Sequence, residues 1–183
     1  MTNLVIIVQK ASFYPYGNNF KGGVNITSCN LDGGDDSEIV TSAASLGDSQ
    51  VKVFDKYGKL KKQFYAFDKK YKGGVSIGCL DYDLDGKQEI ATSIISNNNP
   101  YIRVLDQDGN FVSQFIVNDQ KSKNLINIAG FYSPDFPKYR MIIAPKISGG
   151  PQIRIFDLNG GITNQFFVYN KNLTGGVNFA LGE

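Results

Sequence analysis

One interval governs this chain: residues 51 positions apart match from one end to the other. Gly22-Gly23-Val24-Asn25-Ile26 returns as Gly73-Gly74-Val75-Ser76-Ile77 and again as Gly175-Gly176-Val177-Asn178-Phe179. The copy due between the last two reads Asn124-Leu125-Ile126-Asn127-Ile128, which keeps the apolar alternation and loses the glycines. The same interval links Val53-Phe54-Asp55, Val104-Leu105-Asp106 and Ile155-Phe156-Asp157. It also links Gly58, Gly109 and Gly160, and Gln63-Phe64, Gln114-Phe115 and Gln165-Phe166. A period that holds without slippage means that each unit is one supersecondary module packed on its neighbours.

Four strand-like runs fill one period. In the second copy they cover residues 74–80, 89–94, 101–105 and 111–117, each alternating or rich in β-branched and aromatic residues. Turn residues separate them: an Asp-rich loop, then Ser96-Asn97-Asn98-Asn99-Pro100, then Asp106-Gln107-Asp108-Gly109. No run shows apolar residues at i, i+3, i+4 and i+7, so a helical solenoid does not fit. Four short antiparallel strands per period describe a propeller blade. The expected fold is therefore all-β: three full four-stranded blades over residues 22–72, 73–123 and 124–174, with partial blade pieces at both ends, within a single domain over 1–183.

The ends carry their own expectation. Residues 1–21 match the end of a period, because Phe13, Tyr16 and Phe20 stand 51 before Phe64, Phe67 and Tyr71. Residues 175–183 match the beginning of one. Together they supply 30 of the 51 positions of a fourth blade, whereas propellers close with about 4–8 blades. Three outcomes stay open: a fragment of a longer propeller, a small irregular ring, or a blade completed by the next copy of the chain. Unpaired strand edges seek partners, which favours the last, giving a homo-oligomer or a filament.

Composition removes whole classes of chemistry. There is no histidine among the 183 residues, so no Ser-His-Asp or Cys-His site and no His-bearing zinc site can form. A net charge of +2, from 19 basic and 17 acidic residues, implies no affinity for nucleic acid. No apolar run approaches the roughly 18 residues of a membrane span. The opening Met1-Thr2-Asn3-Leu4-Val5 lacks the basic start of a secretory signal. The two cysteines, Cys29 and Cys79, fall one position out of step on equivalent strands. Their side chains should point to opposite sheet faces, so the expectation is two buried thiols and no disulfide.

The chemistry that does stand out is Asp81-Tyr82-Asp83-Leu84-Asp85-Gly86-Lys87-Gln88-Glu89. Acids at alternate positions, a glycine for a sharp turn and a closing glutamate can aim several oxygens at one centre, the demand of a hard cation such as Ca²⁺. The first copy places Asn30, Asp32, Gly34, Asp35, Asp36 and Glu38 in the same register, a weaker candidate with a shifted ligand set. In the third copy Tyr132, Pro134, Phe136 and Arg140 hold the ligand positions, with only Asp135 nearby, and no metal is expected.

Gly-Gly-Val-x-Ile, the Asp-x-Asp-x-Asp-Gly-x-x-Glu-Ile loop, Gly149-Gly150-Pro151-Gln152-Ile153-Arg154-Ile155-Phe156-Asp157 and a closing Phe-x-x-Tyr together resemble FG-GAP/VCBS-type repeats. Such repeats build the β-propellers of integrin alpha chains and of many bacterial surface proteins, and the resemblance covers nearly the whole chain. It implies side-chain ligation of Ca²⁺ by Asp81, Asp83, Asp85 and Glu89, with the Lys87 carbonyl contributing. It also implies an extracellular or cell-surface module for adhesion, display or binding, and names no ligand.

Other features admit plainer accounts. Lys52, Lys56, Lys59, Lys61, Lys62, Lys69, Lys70 and Lys72 crowd the last two strands of the first copy. Lysines on an outer strand guard against edge-to-edge pairing, and that account is preferred to a polyanion site. Phe13, Tyr16, Phe20, Phe64, Phe67, Tyr71, Phe115, Phe166, Phe167 and Tyr169 recur with the period and are expected between blades. Asn25-Ile26-Thr27 and Asn172-Leu173-Thr174 match the glycosylation acceptor pattern. The expected role is a non-catalytic, calcium-stabilised surface module. The alternative is a carbohydrate- or protein-binding adhesin, with glycans or surface proteins as partners and Tyr101 or Tyr132 as loop contacts.

Overall fold

Each period folds into one antiparallel four-stranded sheet with its strands in sequence order. The structure is a computed structural model that describes residues 11–96, 99–117, 125–133, 138–147 and 149–181. The first sheet holds β1 (Val24–Cys29), β2 (Glu38–Ala43), β3 (Gln50–Phe54) and β4 (Leu60–Tyr65). The second holds β5 (Ser76–Leu80), β6 (Glu89–Ser96), β7 (Asn99–Leu105) and β8 (Phe111–Ile116). The third holds β9 (Ile126–Ser133), β10 (Lys138–Pro145), β11 (Gln152–Phe156) and β12 (Ile162–Phe167). Among the described residues there is no helix. This is the expected all-β, propeller-type arrangement of blades. The segment 118–124 that joins the second and third sheets lies outside the described residues, as do Asn97 and Asn98.

The hairpin between the third and fourth strands is built identically three times. Asp55 Oδ1 accepts from the N–H groups of Tyr57 and Lys59, Asp106 from those of Asp108 and Asn110, and Asp157 from those of Asn159 and Gly161. An aspartate that captures its own following backbone pre-forms the turn. One residue before each aspartate, the register shifts at Phe54, Leu105 and Phe156, a bulge that tightens the local twist. The turn closes through Gly109 in the left-handed region (φ +85), where a side chain is strained.

Sheets stack face to face, and the interfaces are the core. Val40, Val51, Val53, Ile77, Cys79 and Ile90 meet between the first two sheets. Leu80, Ala91, Ile102, Val104, Ile128 and Met141 meet between the second and third. Full burial of such side chains contributes about 1.5–3 kcal/mol each. β5 lies between two blades and is buried at all 5 of its positions, whereas the outer strands β4 and β12 are largely exposed. The Gly-Gly-Val motif marks the step from blade to blade. Val75 N donates to Ala43 O at 2.9 Å, and a Cβ on Gly74 would stand 2.3 Å from Ala44 O, so only glycine admits that approach. Val177 repeats the step, donating to Pro145 O at 2.8 Å.

Both terminal pieces pack as repeats do. Phe13 stacks on Phe54 with ring centroids 4.7 Å apart, and Tyr16 donates to Gln50 O at 3.0 Å. Lys52 Nζ donates to Pro15 O at 2.8 Å and lies over the Tyr16 ring, as Arg103 donates to Ala66 O at 2.7 Å and lies over Phe67. Val177 is buried against the third blade, where Asn127 Nδ2 donates to Val177 O. Phe166, Phe167 and Tyr169, expected between blades, are instead 44%, 53% and 62% exposed.

The cysteines correct the expectation of free thiols: Cys29 and Cys79 are joined by a disulfide, with Cα atoms 5.7 Å apart. Their side chains do point to opposite faces of equivalent strands. Consecutive blades, however, bring the forward face of one against the rear face of the next. Being one position out of step is therefore what lets the two meet. At the following interface the same two positions are Leu80 and Gly130, in such close contact that a Cβ on Gly130 would lie 2.2 Å from the Leu80 Cβ.

Candidate metal centre

The loop between β5 and β6 is shaped by its own backbone. Leu84 (φ 66) and Gly86 (φ 88) both sit in the left-handed region and fold the chain back on itself. Carboxylates hold the fold in place: Asp83 Oδ1 accepts from Asp85 N at 3.2 Å, Asp81 Oδ2 from Gly86 N at 3.1 Å, and Glu89 Oε2 from Tyr82 N at 2.7 Å. The result is convergence of Asp81, Asp83 and Glu89, each with an oxygen within 4.8 Å of the others.

Asp81 and Glu89 are only 5% and 7% exposed. Asp81 Oδ1 is buried with no hydrogen-bond partner, a costly state for a carboxylate oxygen. Burial pushes the Glu89 carboxyl up to about 7, against the hydrogen bond from Tyr82 N, and Asp83, Asp81 and Asp85 push in the same direction as burial. An all-oxygen donor set with a buried, orphaned carboxylate oxygen suits a hard divalent cation.

The structure brings together three of the four side chains expected at this site. Asp85 is turned to its own backbone, where Oδ1 accepts from Lys87 N at 2.8 Å, and Oδ2 lies 3.9 Å from Lys87 Nζ. Lys87 is exposed, and its side chain passes beside Gly33 of the neighbouring loop.

The equivalent loop of the first blade keeps the frame and fills the centre differently. Leu31 N donates to Glu38 Oε2 at 3.1 Å, just as Tyr82 N holds Glu89. Asn30, in the register position of Asp81, uses its side chain within the loop, bonding Gly33 N and Gly34 O. The Lys61 ammonium then bridges the remaining acids, 2.7 Å from Glu38 Oε1 and 3.2 Å from Asp32 Oδ2. Those contacts raise the Lys61 pKa, while the Gly34 N–H and Lys61 lower that of Asp32. Asp36 is paired with Lys56 at 2.7 Å, and Asp35 stays exposed on the rim of a cleft of about 260 Å³. The weaker candidate set of Asn30, Asp32, Asp35, Asp36 and Glu38 thus does not converge on one centre.

Lys61 is the residue that the sequence reading missed. In sequence it stands among the lysines of an outer strand, yet Lys52, Lys56, Lys61 and Lys62 all have partners, the last being Asp108. The signal was available: the second copy places Val112, not a cation, at the position of Lys61.

The third blade has no acidic centre among its described residues. Arg140 occupies the position of Glu38 and Glu89, and the rings of Tyr132 and Tyr139 pack at 5.6 Å. Pro134, Asp135 and Phe136 lie outside the described residues. The Asn25 acceptor pattern is engaged in packing, since Asn25 Nδ2 donates to Val75 O at 2.6 Å.

No family model matches the chain, and no curated protein matches it. Solved structures do. One is a protein of unknown function from Bacteroides caccae, at 13% identity and a TM-score of 0.49 over 82% of this chain. Another is the Dos1 propeller, at 17% identity and a TM-score of 0.47 over 82% of this chain. The chain spans 48% of the first and 36% of the second.

Proposed function

We propose that this chain is a non-catalytic propeller module of the cell exterior whose second blade is clipped by Ca²⁺, with a structural or adhesive role. The observation that carries the proposal is the convergence of Asp81, Asp83 and Glu89, together with the unpartnered, buried Asp81 Oδ1. The cation neutralises a cluster whose burial and mutual repulsion otherwise push the Glu89 carboxyl up to about 7. It joins the start of the loop to its end, and thereby β5 to β6. The resemblance of Asp81–Glu89 to FG-GAP/VCBS loops supports Ca²⁺ as the ion. The Cys29–Cys79 disulfide supports an oxidising compartment.

Thermal melting tests the clip. Added Ca²⁺ raises the melting temperature, a chelator reverses the gain, and Asp83→Ala abolishes most of the difference. Equal melting with and without chelator overturns the proposal.

Assembly is the second part of the proposal, favoured by the exposure of Phe166, Tyr169 and Leu173 at 44%, 62% and 54%. Their equivalents two periods earlier pack against a following blade: Phe64 and Tyr71 are half-buried and Phe67 is buried. A second copy of the chain, contributing its leading segment, is the partner that fits this face by continuity with the internal interfaces. Native mass measurement reads the assembly directly. A chain that stays monomeric at all concentrations, or an oligomer untouched by Tyr169→Lys, overturns it.

A further inference from the structure

The first and second loops share a frame but differ in what lies at the centre, and the difference traces to one side chain. In both loops a backbone N–H, from Leu31 or Tyr82, holds Oε2 of the closing glutamate and does not engage Oε1. In both, an aspartate two residues past the loop's first ligand position, Asp32 or Asp83, faces the same centre. The third inward oxygen belongs to Asp81 in the second loop, and Asn30 replaces it in the first. The residue of β4 that reaches the first centre is Lys61, and its counterpart 51 positions later on β8 is the uncharged Val112.

We propose that Lys61 is the resident cation of the first loop and the residue that excludes a divalent ion from it. It rests on the reading of the second loop as a cation site and adds a stoichiometry to it: one ion per chain, at Asp81–Glu89. The geometry is specific. The Lys61 ammonium lies 2.7 Å from Glu38 Oε1 and 3.2 Å from Asp32 Oδ2, and these are the counterparts of two of the three convergent acids of the second loop. Glu38 is buried, so its carboxylate needs a positive partner within the protein. An ammonium is a point donor of three N–H bonds, and it meets that need without an ion from solution. A divalent cation could enter only by displacing Lys61, leaving two positive charges to compete for the same oxygens.

The substitution of Asp81 by Asn30 fits the same account. An ammonium carries one charge where Ca²⁺ carries two, and the first loop presents one acid fewer to its centre. Asp36, the remaining acid with reach, is engaged by Lys56. Each centre therefore presents one negative charge more than its own cation carries.

The test counts ions on the full chain. Native mass spectrometry and titration calorimetry with CaCl₂ are run on the parent chain, on Lys61→Met and on Lys61→Arg. The expected stoichiometries are one ion for the parent, two for Lys61→Met and one for Lys61→Arg, which keeps the charge. If Lys61→Met binds no more ions than the parent, or the parent already binds two, the proposal is overturned. The same series in an Asp81→Asn/Asp83→Asn background separates the two centres. There the parent residue at 61 gives no bound ion and Lys61→Met gives one. A parent chain that binds none while Lys61→Met binds one would sink the reading of the second loop and uphold the role of Lys61. Should Lys61→Met fold poorly, Lys61→Gln serves in its place, since it keeps a polar tip against Glu38 and removes the charge.

Discussion

The ring of Phe64 lies against Gly109 so closely that a methyl group on the glycine would stand 2.4 Å from the aromatic carbons. Gly109 turns the hairpin of the second blade, and Phe64 is the outer-strand aromatic of the first. One residue thus serves the turn, through its φ of +85, and the interface, through its lack of a side chain. Phe13 meets Gly58 in the same way.

Gly109→Ala should therefore cost stability twice. The left-handed backbone penalises an alanine by about 1–2 kcal/mol, and displacing the ring adds about 1–3 kcal/mol of overpacking. Denaturant unfolding is expected to show a loss of about 3 kcal/mol. In a Phe64→Ala background only the backbone share should remain, near 1 kcal/mol, because the two residues are coupled. Equal losses in both backgrounds would show that the ring is not what the methyl group meets.

Ser76 offers the opposite change. Asn25 and Asn127, 51 residues to either side, each donate across the blade interface, to Val75 O at 2.6 Å and to Val177 O at 2.7 Å. Ser76 is buried at the equivalent place with an unpartnered hydroxyl, as is its cross-strand partner Ser93. Ser76→Asn should supply the missing bond to the next blade, where Ile126 O is the acceptor in register, and raise stability by about 1 kcal/mol. A loss of stability on urea unfolding would mean that the interface has no room for the amide.

Much of this was legible in the sequence, and the reason is physical. Strand order, the Asp turns and the blade period depend on contacts within about ten residues or on exact repetition, and both leave a written pattern. The Asp81–Glu89 loop belongs to that class, because its ligands and its turn residues are neighbours in the chain. Cys29 with Cys79 belongs to the other. Facing opposite ways on equivalent strands argues against contact within one sheet and for contact between stacked sheets, so the outcome needed the packing of blades. Lys61 was illegible for a related reason. A lysine on an outer strand reads as solvent-facing until the strand is placed beside the loop whose acids it reaches.

Alkaline pH should weaken the first blade through Tyr16. Burial pushes its hydroxyl up to about 12, opposed by the hydrogen bond with Thr41 and aided by the nearby charge of Asp48. Lys52 Nζ lies 5.1 Å from the ring centroid. A phenol with a raised pKa keeps its proton in the folded state while the unfolded chain gives it up near pH 10. Stability is then intact below pH 10 and falls as the pH climbs toward 12. For a partly exposed group the loss is about 1–2 kcal/mol by pH 12. Tyr16→Phe, compared with the parent from pH 8 to 11.5 by denaturant unfolding, should lack that part of the slope. Parallel profiles would assign the alkaline loss to other groups, Tyr71 and Tyr139 among them, whose pKa values burial also raises.

The disulfide should set the resistance of the first two blades to unfolding. Cys29 and Cys79 are 50 residues apart, and closing a loop of that length lowers the entropy of the unfolded chain by about 4 kcal/mol at 25 °C. Measured gains fall below that figure when the reduced chain keeps structure, so Cys29→Ala/Cys79→Ala is expected to lose about 2–4 kcal/mol. For a chain of this size the melting temperature then drops by roughly 5–15 °C. Reductant should bring the parent to the level of the double variant and leave the double variant unmoved. A second design separates the covalent bond from the packing. Cys29→Leu/Cys79→Gly copies the Leu80 and Gly130 pair of the next interface, which holds without a bond. If the bond is what matters, this variant melts with Cys29→Ala/Cys79→Ala. If it melts with the oxidised parent, complementary packing between successive blades supplies the stability, and the cysteines are one of two ways to fill the same space.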